Sequence, residues 1–552
     1  MPLQGSMRRC LLLQFRRQMS IRFFLLALGL CLCSIFVSLD VWNPWNTAMV
    51  GPRPQSSLHS LSPLSELYGP KSRTSELSLK VIVDQTVKDE RKFLASLPNL
   101  PLIYRKANNP LLGSSNNTCA SYPSVLDIHY NNIYWQVLQL SNNTLYLYSA
   151  FYDNRTLSKS KPSIRILGMA NSLQPTTETN CQIWYDGQSF PVISKVRVHK
   201  RIWRDEWEIE EEILYPYMIE CIIPDKHSRL EPQSVSLVEQ PCDKPTNNLR
   251  IINNQPADGR KKSFAVCVKG LEFYNLDNSV RLVEWLELLF LLGADEVFFY
   301  DMGIHPNVSK VLNYYESLGR VDIRKISLPG EQPNVFGLLH LYLKNKVNHK
   351  RLHELIPYND CLNRNMYRYK FVLLMDIDEV IVAKSAVDWT SLLEEVSPGA
   401  VNQYNNKWTS FCASNVYFLD TMQPTHSQNH SIPPYLHILQ HIYRSANYTK
   451  PGWYVKCFHD TERVLTLHNH YAISCLDKCE VKNLPTELAQ LQHYRQDCVR
   501  QMPKKHCIYF KNHTVVDTRV WRYKDSLINN ALRTLRHLGF LEEVIPEKSK
   551  LL

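Results

Sequence analysis

Hydrophobic positions along the chain fall into several regimes, and each predicts a different kind of element. Residues 23–39, FFLLALGLCLCSIFVSL, form one apolar run without a charge. At a helical rise of ~1.5 Å per residue the run covers ~25 Å, close to the ~27 Å of a thin bilayer, so it predicts one N-terminal transmembrane helix. Residues 40–80 lose periodicity and become rich in Ser, Pro and Leu, as in GPRPQSSLHSLSPLSELYGPKSR, which predicts a flexible stem. Over 81–258, short β-branched or aromatic runs alternate with Asn, Asp and Ser turns. Residues 133–138, 144–148 and 163–167 are read as strands, and 208–223 as one long strand or two broken at Pro216. The expectation is a small β-rich domain without assignable chemistry.

Beyond 259 the period changes. Residues 264–268 predict a buried strand, 278–292 a helix stopped by Gly293, 296–300 a strand, and 308–318 a helix ending at Gly319. A strand at 321–324, a helix at 358–369 and a long apolar strand at 370–382 follow. Strands alternating with helices predict an α/β domain over 259–510 with a Rossmann-like, mainly parallel sheet. A helical tail is expected at 511–552. In such sheets ligands bind beyond the carboxyl ends of the strands.

The net charge of +11 raises the question of a nucleic-acid partner. Arg8, Arg9, Arg16, Arg17 and Arg22 all precede the first acidic residue, Asp40, and the remaining excess is diffuse, so no nucleic-acid partner is expected. This basic flank, with Trp42 and Trp45 past the other end of the apolar run, puts residues 1–22 in the cytosol and the body in the lumen. The run exceeds a signal-peptide core and no small-x-small cleavage site follows, so 23–39 reads as an uncleaved, single-pass type II anchor. All seven Asn-x-Ser/Thr sequons (Asn116, Asn142, Asn154, Asn307, Asn429, Asn447 and Asn512) lie beyond it. Of fifteen cysteines, twelve also lie beyond it, an even set suited to disulfides whose connectivity stays open. Cys475 and Cys479 with nearby histidines could suit zinc, but no Cys-x-x-Cys partner pair exists.

The segment FVLLMDIDEVIV, residues 371–382, carries the chemistry. Five apolar residues deliver Asp376 and Asp378 to a strand end, with Glu379 directly after, and carboxylates there are costly unless a cation neutralises them. Side chains two apart share one side of an extended chain, so Asp376 and Asp378 can hold one Mg²⁺ or Mn²⁺ together with a substrate diphosphate. The same letters fit a haloacid-dehalogenase-type phosphatase, with Asp376 as nucleophile and Asp378 as general acid. That motif belongs on an early strand, and no Gly-Asp-x-x-x-Asp or Asp-Asp follows downstream.

Several blocks in order then resemble glycosyltransferase family 92: LYSAFYD at 147–153, residues 263–270, LLGADEVFFYD, Asn359-Asp360-Cys361-Leu362, and Asp376-Ile377-Asp378-Glu379. The resemblance implies a GT-A fold, a nucleotide-sugar donor such as UDP-galactose, a divalent metal, and inversion at the anomeric carbon. It further implies Golgi residence and β1,4-linked galactose on glycan or glycoprotein acceptors, including fucose of N-glycans. Gln492-His493-Tyr494-Arg495 resembles the family's late His-Tyr-Arg segment, which makes His493 the expected third metal ligand and aims Arg495 at the diphosphate. His468 and His470, one face of a turn after an apolar strand, are alternatives. Lys269, Asp301, Asp360 and Arg364 are implied donor contacts, although Asp360 equally suits a helix N-cap. An inverting transfer needs a carboxylate base, and Asp420, Asp460 and Glu462 are equally available. A non-catalytic luminal binding protein with a degenerate transferase fold is the other class, against which the intact Asp-x-Asp argues.

Overall fold

In the computed structural model, the apolar alternation after residue 130 becomes β1 (Tyr130–Asn132), β2 (Trp135–Gln139), β3 (Thr144–Asp153), β4 (Ser163–Ala170), β5 (Asn180–Trp184), β6 (Val192–Arg201), β7 (Tyr215–Ile222), β8 (Ser234–Val238) and β9 (Leu249–Ile252). The structure describes residues 97–542 except 106–118, 156–160, 176, 189, 208, 406, 425–430 and 500–501. The expected tail at 1–22, anchor at 23–39 and stem at 40–80, and the sequons at Asn116 and Asn429, lie outside the described residues. Among the described residues no helix is long and apolar enough to cross a membrane.

The nine strands run β1-β2-β3-β4-β7-β6-β5-β8-β9, and a parallel β3–β9 pairing closes seven of them on themselves. The strand expected over 208–223 begins only at Tyr215, and residues 209–214 are not strand, so Pro216 marks no break between two strands. It is the second residue of β7, where a missing N–H is tolerated, and its carbonyl accepts from Ile202 N at 2.8 Å.

The second half contributes β10 (Lys262–Leu271), α1 (Ser279–Leu292), β11 (Glu296–Asp301), α2 (Pro306–Ser317), β12 (Val321–Lys325), α3 (Phe336–Asn345), α4 (Val347–His353), α5 (Leu355–Asn365), β13 (Tyr369–Leu374), β14 (Glu379–Ala383) and α6 (Trp389–Val396). Then follow β15 (Ser410–Ala413), β16 (Asn415–Leu419), α7 (His437–Gln440), β17 (Tyr443–Ser445), β18 (Lys456–Asp460), β19 (Val464–His468), β20 (Tyr471–Cys475), β21 (Val481–Asn483), β22 (Ala489–Arg495), α8 (Lys504–Asn512), β23 (Thr514–Val516) and α9 (Lys524–His537). α1 ends as its sequence predicts, with Gly293 left-handed at φ +108° and its N–H returned to the Leu289 and Phe290 carbonyls.

The main sheet runs β12-β11-β10-β13-β18-β15-β21. β12, β11, β10 and β13 are parallel, whereas β18 is antiparallel to β13. The chain order therefore reverses between β10 and β13, and in open α/β sheets the binding crevice opens at such a reversal. One face of the sheet is covered by α1, α2, α6 and α9, whose Leu286, Leu289, Leu312, Trp389 and Leu527 are fully buried. The segment expected as a C-terminal tail is thus part of this core. On the other face, α5 lies between the sheet and the β-rich half, and Leu147, Phe151, Cys267, Tyr300 and Leu362 share a single core. The two β-containing halves are bonded through that core within one unit, Ser78–Leu552.

All twelve cysteines of the body pair, as Cys119–Cys242, Cys181–Cys221, Cys267–Cys361, Cys412–Cys457, Cys475–Cys479 and Cys498–Cys507. The zinc alternative for Cys475 and Cys479 is removed by their bond to each other. Asn142, Asn154, Asn447 and Asn512 are exposed.

Candidate active site

The apolar run at 370–382 is not one strand. β13 stops at Leu374, a turn closes with Glu379 N donating to the Asp376 carbonyl at 3.0 Å, and β14 leaves in a different three-stranded sheet, β14-β22-β16. Asp376 and Asp378 are only partly buried and fall in the turn, whereas Glu379 is buried as the first residue of β14. Asp376 and Asp378 consequently sit on a turn rather than on one side of an extended segment. The turn is held at both ends: Met375 N donates to Cys267 O at 3.0 Å, and Tyr494 N to Asp378 O at 2.8 Å. Cys267, on β10, is bonded to Cys361 on α5, which staples the strand that supports the turn.

β22 runs antiparallel to β14 with His493 opposite Glu379. That register brings His493 Nε2 to 3.4 Å from Asp378 Oδ2 and His493 Nδ1 to 3.4 Å from Glu379 Oε1. Arg495 Nη1 lies 3.7 Å from the same Asp378 oxygen. Asp376 is engaged differently. Its Oδ1 is 3.0 Å from Lys269 Nζ and its Oδ2 3.3 Å from Lys456 Nζ. Lys456 is fully buried, also meets Glu379 Oε2 at 3.1 Å, and donates to Asn469 Oδ1 at 2.5 Å. Lys269 reaches Glu354 at 3.3 Å as well.

Burial alone would raise the Asp376 carboxyl, but Lys269 and Lys456 hold it well below the usual carboxylate range. Burial likewise opposes ionisation of Asp378, and the neighbouring His493 pulls it down. For Glu379 burial wins over Lys456 and His493, and its pKa is raised. Burial disfavours a charged His493, yet Glu379 and Asp378 raise it above the ordinary imidazole value.

A cavity of about 570 Å³ opens over this turn, in the size range of small-molecule sites. Its wall includes Asp376 and Asp378 with the cations Lys269, Arg281, Lys350 and Arg495. Such a lining suits a ligand with a compact negative charge.

The implied donor contacts are divided by the fold. Lys269 and Arg495 line this cavity, whereas Asp301 and Arg364 line a separate one of about 1200 Å³ between the β-rich half and β12. Asp360 lines neither. It is fully buried in mid-helix, accepting from Ser149 Oγ at 2.8 Å, Tyr300 OH at 2.7 Å and Arg364 Nε at 2.6 Å. It is not an N-cap, because α5 begins at Leu355 and not at 358. Arg364 is committed to Asp360, so both hold α5 against β3 and β11.

The base candidates are also relocated. Asp460 lies opposite Phe371 at the start of β13, on the order of 15 Å along the sheet from Asp376. There it accepts from Tyr404 OH at 2.8 Å, and Glu462 pairs with Lys261 at 2.5 Å. Both face the wrong end of the sheet. Asp420 follows β16 and is bonded to His437 and His441. His470 Nδ1 is 2.9 Å from Val455 O, and burial lowers its pKa to about 4. His468 packs between the Trp207 and Tyr471 rings, where burial keeps it neutral. Among the described residues neither pairs with Asp376 or Asp378. Lys456, Glu354 and Asn469 escaped the sequence reading, although a lysine inside the apolar stretch YVKCF was a visible anomaly.

The residues at the turn fit a divalent cation by donor type, with hard carboxylate oxygens and an imidazole nitrogen. Asp376 Oδ1 faces Lys269 Nζ and His493 Nε2 faces Asp378 Oδ2, so a bound cation would share Asp378 and His493 directly and compete with Lys269 for Asp376. Asp378 and His493 are the pair already together. Asp376 is engaged by its lysines, and the donor atoms of these three residues do not all lie within 4.8 Å of one another.

A parallel sheet with a cavity at its strand reversal, lined by four cations and by the carboxylates of the turn, suits an anionic ligand. Residues 262–531 match the model described as Glycosyltransferase family 92, and the chain belongs to that family. This decides against the phosphatase alternative. No curated protein sequence matches the chain. Among solved structures, the apo WbbM bifunctional glycosyltransferase is similar at 11% identity and a TM-score of 0.17, over 31% of this chain and 28% of that protein's length. A likeness that partial has no bearing on the fold.

Proposed function

We propose that the chain is a single-pass type II glycosyltransferase of the Golgi membrane, with a GT-A catalytic domain over 259–510 in the lumen and a β-rich domain over 81–258. It transfers a sugar, galactose from UDP-galactose, with inversion onto a glycan or glycoprotein acceptor, in β1,4 linkage to fucose of N-glycans. The observation that carries the catalytic part is the meeting of Asp378 and His493 beside Arg495 at the sheet's reversal. The apolar run at 23–39, the basic residues before it and the paired cysteines support the cellular part.

In this reading Asp378 and His493, with Asp376 behind them, hold Mn²⁺ or Mg²⁺, which when bound offsets negative charge on the departing diphosphate. Arg495, Arg281 and Lys350 bind the diphosphate through charge-assisted hydrogen bonds. Lys269 and Lys456 keep Asp376 ionised and fix its orientation. With Asp460 and Glu462 at the other end of the sheet, Asp497 is the remaining carboxylate on the cavity wall and the candidate base, although its Oδ1 is held by Lys511 at 2.7 Å, which lowers its pKa.

The test uses the full-length chain in detergent, a panel of nucleotide sugars and a glycan array. Transfer from UDP-galactose to fucose-bearing N-glycans, lost on chelation, is expected. Transfer of another sugar overturns the donor assignment, and donor binding without any turnover supports the binding-protein class instead.

A further inference from the structure

Away from the carboxylate turn, β16 ends at Leu419 and Asp420 follows, beside the short α7. His437 and His441 stand four residues apart, their rings 3.9 Å apart at the centroids. His437 Nε2 is 3.1 Å and His441 Nε2 2.8 Å from the same Asp420 oxygen, and all three donors lie within 4.8 Å of one another. Four-coordinate zinc with ligands at about 2.0–2.1 Å sets them about 3.3 Å apart, so the triad is close to that spacing.

The hydrogen bonding makes the argument sharper. His441 Nδ1 is 2.6 Å from the His437 carbonyl, which can only accept, so Nδ1 carries its hydrogen. His441 Nε2 therefore meets a carboxylate oxygen, another pure acceptor, with no hydrogen of its own in the neutral ring. In that tautomer the Nε2 lone pair and the Asp420 oxygen converge on one point, as two ligands of a shared cation do. A ligating imidazole that donates its other N–H to a backbone carbonyl is the usual arrangement at metal centres. α7 is itself anchored, since the buried Glu284 accepts from Ile438 N and Leu439 N at 3.0 Å each. Asp420 is partly exposed, which leaves room for a water as fourth ligand.

We propose that Asp420, His437 and His441 form a second metal site, for Zn²⁺, distinct from the one at Asp378 and His493. Both histidine rings lie against Tyr494, at 6.3 and 6.1 Å, and Asp420 follows the β16 residue paired with Arg495. The ion braces α7 and the end of β16 against β22, the strand that carries His493 and Arg495. Nothing in this site depends on which sugar or acceptor the enzyme uses.

Co²⁺ titrated into chelator-stripped, full-length Asp378→Ala protein tests the site with the catalytic metal position removed. Visible d–d bands saturating at one Co²⁺ per chain, displaced by Zn²⁺, are expected. The added changes His441→Gln or Asp420→Asn should weaken Co²⁺ binding by about 100-fold or more, with His437→Gln as the milder variant if either fails to fold. Absence of bands in the Asp378→Ala protein overturns the proposal. So do bands of undiminished affinity in the folded histidine variants.

Discussion

His493 stands opposite Glu379 across the β14–β22 register, with its Nδ1 3.4 Å from Glu379 Oε1 and its Nε2 3.4 Å from Asp378. A residue more than a hundred positions downstream is thereby oriented by one carboxylate and presented to another. Replacing Glu379 with Gln should retain the fold but lower the affinity for Mn²⁺ about 10-fold to 100-fold, because the imidazole loses its orienting partner. Metal titration of donor turnover reads this directly. An unchanged metal requirement would separate His493 from the site.

Lys456 is the only cation between Asp376 Oδ2 and Glu379 Oε2 among the described ion pairs, and it is fully buried. Lys456→Met leaves two carboxylates without that partner and should destabilise the fold by about 3–5 kcal/mol. The double variant with Glu379→Gln should recover part of this loss. Thermal melts of both show whether the coupling exists.

Asp360 and Arg364 were expected at the donor and are instead a buried pair that holds α5 to the sheet. Arg364→Lys should therefore lower the melting temperature while KM for the donor stays the same. A raised KM with normal stability would return these residues to the site.

Much of this architecture was legible beforehand, and the exceptions share a cause. β10, α1, β11, α2 and β12 follow from apolar period and from Gly293 and Gly319, because local spacing decides them. The Asp376–Asp378 turn was located by its carboxylates in an apolar run. Its geometry was not, since the switch from β13 to β14 is made by pairing with β22 far along the chain. The same holds for Lys456, which reaches the turn through the antiparallel β13–β18 pairing. Asp360 shows the converse error: a polar residue near a predicted helix start looked like a cap, whereas its partners Ser149 and Tyr300 come from other strands.

Glu284 supplies a pH signature. Burial lifts its pKa from 4.5 to about 7, against the N–H groups of Ile438 and Leu439 that favour the charged form. The unfolded chain loses this proton first, so the associated stability is complete below about 4.5 and disappears as pH rises through about 7. The full effect is about 3 kcal/mol. Denaturant titrations at several pH values should show Glu284→Gln losing less stability than the parent across that window. Parallel curves would mean that Glu284 stays ionised.

The central claim is that the turn at Asp376 and Asp378, with His493, binds and activates the sugar donor. It is tested most directly by donor turnover in full-length protein carrying Asp378→Ala or His493→Ala, with excess Mn²⁺ and after chelation. Both variants should fall more than about 100-fold below the parent with melting temperatures retained, and the chelated parent should fall with them. Folded variants that turn over donor at the parent rate would contradict the account.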